Sequence, residues 1–495
     1  MKTITTEIAA KNIFRIISST ASDMGVRAYV VGAYVRDFFL DRPRNDIDIV
    51  VEGDAIDFAR AIEEKTHSKA TYFRNFRTAS LKYHGDAVQF IGAHNASNSG
   101  ESRRQVLETG ALRDYLQNCD FTINSLMVSL NSDDYGRLID TVNGIKDLSQ
   151  GIIRTPFQAD DSFRHDAVRM LKAVRLVAQL SKPSSQFQLS PECFSTILNN
   201  SDLVESIAKE RVTAELNKIL LSDEPGLAIS LLEQLGILIR LLKPLSVTKG
   251  VERRDGFSYE DSFPHTIKVI NNIARLERSQ RSEVSNSLGI KPGEPNLWLR
   301  WAALLHDIGK PVVKRFVPGK GWTFYGYDVV GARMIKQVFT SLRLPLDERM
   351  RYVQKLISLQ CRPKTLLENE TSDSAYRRLL SDAGEDIEDL MILCIANITT
   401  TKKDKANQEL ADMEKIKQRL WDVKKGDEVR NFKSPISANY IMDLYGIEPC
   451  NALSVLKEYI KNAILNGDIE NTFEEADSLL RKKAAEMGLI CLQGR

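Results

Sequence analysis

Val31-Gly32-Ala33-Tyr34-Val35-Arg36-Asp37, followed closely by Asn45-Asp46-Ile47-Asp48-Ile49-Val50-Val51, decides the fold of the N-terminal part of this chain. A β-branched run enters a glycine and a helix-forming stretch follows, which spells strand, tight turn and helix start. Such a turn presents backbone N–H groups that can receive a triphosphate. In the second stretch Asp46 and Asp48 are two apart in a strand, so both carboxylates leave the same face. Two carboxylates there can hold divalent ions whose spacing suits in-line phosphoryl transfer. An Asp-x-Asp pair alone is equally well two solvated acids on an edge strand. Joined to the glycine turn and the Arg36-Asp37 pair, the metal site is the stronger reading.

Working outward, Ala28–Val31, Thr78–Tyr83, Ala87–Gly92 and Ser125–Ser129 are rich in Val, Ile, Phe and Tyr, as strands are. Asp54–Lys65 has helical spacing with an Asp cap. His94–Asn118 is polar and strand-poor and reads as a mobile loop. From about Asp160 the periodicity is helical: Asp166–Leu180, Lys209–Leu221, Gly226–Leu242, His265–Leu276 and Leu297–Leu305. Breaks fall at Arg278–Asn296, Pro318–Gly321 and Thr400–Ala406. The expected class is α+β: a small mixed α/β head with a single sheet, followed by a long all-α remainder.

The chain has 495 residues, more than one core organises, so three or four domains are expected. Its 43% hydrophobic and 27% charged residues are those of a soluble globular protein. No stretch reaches the roughly 18 apolar residues of a membrane span. The N-terminus lacks a secretory pattern and forms an amphipathic helix with Ile8, Ile13, Phe14 and Ile17 on one side, so a cytoplasmic location and no membrane partner are expected. Six cysteines without a CxxC pair suggest neither zinc nor disulfides. A net charge of +2 is too balanced to diagnose a nucleic-acid binder, so RNA contacts must come from local basic clusters.

Further motifs follow in order: Asp120-Phe121-Thr122-Ile123-Asn124, Leu138-Ile139-Asp140, Ile152-Ile153-Arg154-Thr155-Pro156, Asp166-Ala167-Val168-Arg169, Glu210-Arg211, His265 and His306-Asp307-Ile308-Gly309-Lys310-Pro311. With them the chain resembles the bacterial tRNA nucleotidyltransferase/poly(A) polymerase family, the CCA-adding type of the DNA polymerase beta superfamily. The resemblance implies a head over 20–157, a helical neck over 158–245, an HD-type region over 246–400 and a helical tail over 401–495. It implies CTP, ATP and a tRNA 3′ end as substrates, Mg²⁺ at Asp46 and Asp48, and a nucleotide site of Gly32, Ala33, Arg36, Asp37, Asp120, Asn124, Asp166, Arg169 and Arg175. Lys172, Lys209 and Arg211 would track RNA phosphates. Asp166 and Arg169, three apart, would be neighbours on a helix face. A carboxylate accepts and a guanidinium donates, which suits the amino group and ring nitrogen of cytosine and adenine and opposes uracil and guanine.

Several positions depart from the family pattern. Ala33 replaces the second glycine of the turn, Asn118-Cys119 replaces a pair of arginines, and Gln89 stands where a third carboxylate is expected. His94, Asn95 and Ala96 replace charged residues, and His165 replaces an acid. In the HD-type region Tyr327, Gln360 and Asn397 occupy ligand positions, so His265, His306 and Asp307 are expected as a degenerate site, with His306 and Asp307 a buried hydrogen-bonded pair. The leading expectation is CCA addition or repair by a two-metal mechanism. The alternatives are a decayed paralogue that still grips tRNA, a poly(A) polymerase, and an HD phosphohydrolase. Oligomeric state is unassigned by sequence.

Overall fold

The computed structural model describes residues 3–491 apart from 97–106, 110–111, 183–184, 251, 260, 279–294, 368–371, 431–434, 449, 467 and 471. The β-branched stretches of the head pair as β1 (Ala28–Val31), β2 (Asp46–Val51), β3 (Ala70–Phe73), β4 (Thr78–Tyr83), β5 (Asp86–Gly92), β8 (Met127–Ser129) and β9 (Leu138–Ile139), in the order β3-β4-β5-β2-β1-β8-β9. β2 and β5 run parallel and every other pair is antiparallel. Strand alternation gives the sheet two unlike faces. Ile47, Ile49, Ala79, Leu81, Val88 and Phe90 are buried on one, under the helices α2 (Asn12–Met24) and α4 (Ala55–Thr66). Asp46, Ala87, Gln89 and Lys82 lie exposed on the other.

The expected N-terminal helix is two, α1 (Ile4–Ala10) and α2, parted at an extended Lys11, and Ile8, Ile13, Phe14 and Ile17 are all buried. α3 (Ala33–Phe39) starts at Gly32, whose φ of 72° suits glycine. The segment 94–118 is not strand-poor: β6 (His94–Ala96) pairs with β7 (Leu107–Thr109), and α5 (Leu112–Asn118) follows, while 97–106 lies outside the described residues. Leu116 packs with Tyr29, Val31, Val50 and Met127, closing the far end of the open face.

Past the head come α6 (Gly144–Gln150), α7 (Ala159–His165), α8 (Val168–Leu180), α9 (Pro191–Asn199), α10 (Lys209–Leu220) and α11 (Pro225–Gln234). Gly226–Leu242 is not one helix, because the chain turns at Gly236 with φ 67° before a short helix, Leu238–Leu241. Helices Ser262–Arg278, Leu297–Leu305, Tyr327–Ser341, Glu348–Leu359 and Ile387–Ala396 form the next layer. Arg300, 1% exposed, ties this layer to the neck. Its guanidinium pairs with Glu277 at 2.6 Å and donates to the carbonyls of Leu220 and Ser222, the last of α10 and its exit.

The chain divides into two compact units, one of residues 1–361 with 388–406, the other of 362–387 with 407–495. The second has its own core of Ile441, Leu444, Leu456, Ile460, Ala476 and Leu480. Among the described residues no helix is long and apolar enough to cross a membrane.

Candidate functional site

Register alone brings the two carboxylates to the glycine turn. Val31 of β1 lies opposite Asp48 of β2, so the turn that follows Val31 sits beside that carboxylate. A Cβ on Gly32 would stand 3.6 Å from Asp48 Oδ2 and 3.9 Å from the Asn124 carbonyl, and the absence of one leaves the approach open. Asp46 is exposed and Asp48 half-buried. Burial, and then the charge of Asp46, push the Asp48 carboxyl up to about 6. A half-buried carboxylate raised by desolvation and by a second acid two residues away is a donor set that a divalent cation relieves, so the residues present fit one.

On the β1 side of this pair the expected nucleotide-binding side chains form one chain of contacts. Arg36, 5% exposed, pairs with Asp37 through two hydrogen bonds of 2.8 and 2.9 Å and donates to Asn124 Oδ1 at 2.7 Å. Asn124 donates to Asp120 Oδ1 at 3.0 Å, which also accepts from the Phe121 N–H, and Lys172 Nζ stands 3.7 Å from Asp120 Oδ2. Gly32, Ala33, Arg36, Asp37, Asp120, Asn124 and Lys172 are thus assembled. Gln89 lies in register with Asp48 on the neighbouring strand, putting an amide beside the acid pair. Asp86 faces the other side and pairs with Lys11 at 2.8 Å.

The neck departs from the sequence reading. Asp166 is not helical: it is extended, with φ −147° and ψ 96°, at the break between α7 and α8. Its carboxylate accepts from the Val168 N–H at 3.3 Å and from Arg211 at 2.8 Å, as a capping residue does. Arg169, 7% exposed, instead donates to Ser162 Oγ and to the Asn118 carbonyl, both at 2.7 Å. Asp166 thus stands just ahead of the helix that carries Arg169, whose backbone N–H donates to the Asp166 carbonyl at 3.0 Å, and each side chain has its own partner. Arg169 borders a cleft of about 190 Å³ whose walls include Asn118, Cys119, Phe157, Ser162 and His165. Cys119 is buried, which pushes its thiol up to about 11. Arg175 is turned inward onto Glu215 at 2.7 Å and Gln179 at 2.7 Å, an α8–α10 clasp. Lys209 is half-buried and Arg211 exposed. Sequence periodicity could not show Ser162 and the Asn118 carbonyl as Arg169's partners, because both lie outside its helix.

In the HD-type layer His265, His306 and Asp307 have donor atoms within 4.8 Å of one another. His306 and Asp307 are not the hydrogen-bonded pair expected. His306 Nδ1 bonds the Ala303 carbonyl at 2.8 Å, its Nε2 is 3.4 Å from Asp307 Oδ2, and Nε2, Asp307 Oδ1 and Gln360 Oε1 make no hydrogen bond within the protein. The two buried oxygens suit a water or a weakly held cation. A tightly bound transition metal fits poorly. Both nitrogens of His265 are engaged, by Asn397 at 2.7 Å and Thr399 at 2.8 Å, and Lys310 Nζ stands 2.6 Å from Asp307 Oδ2. Burial would raise the Asp307 carboxyl, but His306 and Lys310 hold it well below the usual carboxylate range. Burial, then His306, lowers His265 to about 4.

Residues 28–154 match the family described as the Poly A polymerase head domain, 186–247 the probable RNA- and SrmB-binding site of polymerase A, and 263–400 the HD domain. An A-adding tRNA nucleotidyltransferase of Aquifex aeolicus is 36% identical over 32% of this chain and 19% of its own length. One of Deinococcus radiodurans is 30% identical over 58% of this chain and 60% of its own. The chain therefore spans less than two thirds of these curated relatives. A solved Thermotoga maritima CCA-adding enzyme in complex with tRNA superposes with a TM-score of 0.58 at 19% identity, covering 97% of this chain and 99% of that one.

Proposed function

We propose, for a chain that carries the poly(A) polymerase head, the RNA-binding segment of polymerase A and an HD domain in that order, that it is a template-independent nucleotidyltransferase extending tRNA 3′ ends with CMP and AMP. The observation that carries this reading is the acid pair of β2 set against the Gly32 turn, with the Asp37–Arg36–Asn124–Asp120 chain on the turn's side. Asp46 and Asp48 would hold magnesium, which when bound lowers the pKa of the attacking hydroxyl and neutralises charge on the leaving pyrophosphate. Gly32 leaves room for the triphosphate beside Asp48, and the buried Arg36 holds Asn124 and, through it, Asp120 for the sugar. Asp166 at its helix-capping position and Arg169 at the cleft would meet the base edge of CTP or ATP from two directions, exchanging their present partners for it. RNA would lie along Lys172, Lys209 and Arg211, and the setting would be the cytoplasm, where tRNA is processed.

One observation favours a second reading. Gln89 occupies the register position next to Asp48 and has no basic lone pair to take the hydroxyl proton. A decayed paralogue that binds tRNA without extending it is consistent with that amide. The deciding experiment incubates the purified chain with tRNA lacking its 3′ terminus, magnesium, and labelled CTP or ATP. Incorporation that depends on Asp46 and Asp48 is expected. RNA binding with no incorporation of any nucleotide would overturn the enzyme in favour of the binder.

A further inference from the structure

The open face of the head sheet continues past the acid pair, and its far strand is unused by the reading above. Asp46 of β2 is in register with Ala87 of β5, and Ala87 with Lys82 of β4. The next row is Asp48, Gln89 and Ser80. Residues in register across adjacent strands leave the same face, so Lys82, Ser80, Gln89 and both acids share one surface. Burial agrees, since the alternate residues Ala79, Leu81, Val88 and Phe90 are all buried on the opposite face. Strands lie about 4.8 Å apart, which puts the Lys82 backbone roughly 10 Å from that of Asp46. Ala87 ends at a methyl and raises nothing between them. Lys82 is exposed, and among the described residues it enters no ion pair, whereas Lys11 on the other face is neutralised by Asp86.

Geometry tells which substrate passes there. The glycine turn and the Arg36–Asp120 contacts lie on the β1 side of β2, where the triphosphate is received. In-line displacement needs the attacking oxygen and the leaving pyrophosphate on opposite sides of the reacting phosphorus. The acceptor strand must then reach Asp46 and Asp48 from the β5–β4 side, across Gln89, Ser80 and Lys82. A phosphodiester just upstream of the 3′ hydroxyl would come down where the lysine stands.

We propose that Lys82 binds a backbone phosphate of the acceptor's 3′ single strand and so positions its terminal hydroxyl. This rests on the transferase reading for its direction of approach. The test compares wild type, Lys82→Gln and Lys82→Arg of the full chain. It uses tRNA ending in its single-stranded acceptor tail, the same tRNA trimmed to the paired stem, and incorporation assays in which RNA and ATP are varied separately. Lys82→Gln should weaken binding of the tailed tRNA and raise its KM about ten-fold, flattening the salt dependence of binding by somewhat under one unit of log–log slope. It should leave the KM for ATP, the melting temperature and binding of the trimmed tRNA unchanged. Lys82→Arg should restore the wild-type values. Equal binding of tailed tRNA by wild type and Lys82→Gln overturns the proposal, as does a shift confined to the KM for ATP or an effect that persists on trimmed tRNA. If wild type incorporates nothing but Lys82→Gln still loses tail binding, the transferase reading fails and the lysine's role stands.

Discussion

Asp48 is held in its charged form against its surroundings. Burial and the neighbouring Asp46 raise its carboxyl to about 6, whereas in an unfolded chain it would titrate near about 3.9. Between those values the folded protein binds the extra proton, so this group lowers stability as pH rises through that window, and the loss persists above it. Removing the charge should therefore stabilise the metal-free protein. Asp48→Asn is expected to melt higher than wild type near about pH 8 and alike near about pH 4, in scanning calorimetry with chelator present. A lower melt at the higher pH would mean that the carboxylate is satisfied by a group unseen here. Asp46 is exposed, so Asp46→Ala should leave the melt almost unchanged while incorporation falls by roughly a thousandfold or more, read as product per unit time with tRNA and labelled CTP. Retained incorporation would remove Asp46 from the metal site.

At the scale of elements, what the sequence shows is what local pattern controls. β1, β2, β4 and helix Leu297–Leu305 fall at the bounds read from alternation and helical spacing, and the acid pair follows from period two within one strand. β3 escaped because Ala70–Phe73 is a four-residue edge strand whose partner fixes it, and Gly236 divides a run whose apolar spacing alone is continuous. The pair expected to read the base is half legible in the sequence. Its residues could be named, but Asp166 leaves the helix to cap it, and Arg211, 45 residues on, takes its carboxylate. Arg169 likewise reaches back to α5 through the Asn118 carbonyl, joining neck to head. Arg169→Ala should therefore cost stability, about 1.5–3 kcal/mol in denaturant unfolding, because the Asn118 carbonyl and Ser162 lose a charged donor. It should also narrow the preference for CTP and ATP over UTP and GTP, measured as a ratio of kcat/KM. Selectivity unchanged in the face of that destabilisation would make Arg169 a structural strut alone.

In the whole molecule, the candidate ligands of the HD-type layer already hold protein partners. With His265 bonded at both nitrogens and Lys310 on Asp307, metal analysis of the purified chain should find far less than one manganese, nickel or cobalt per molecule, and the content should not depend on His306. Stoichiometric metal lost in His306→Ala, with hydrolysis of a cyclic phosphate, would return this layer to catalysis. Arg300→Met should lower stability by about 3–5 kcal/mol, seen as a denaturation midpoint shifted down, since Glu277 and two carbonyls at the end of α10 lose their cation together. That clamp has a meaning for inheritance. The neck helix α10 is closed by a side chain borrowed from a layer that comes later in the chain, so a ribosome that has made only the head and neck has made something still unfinished. A deletion of the HD-type layer would take the neck's capping arginine with it. Its presence completes the neck, whatever becomes of its histidines.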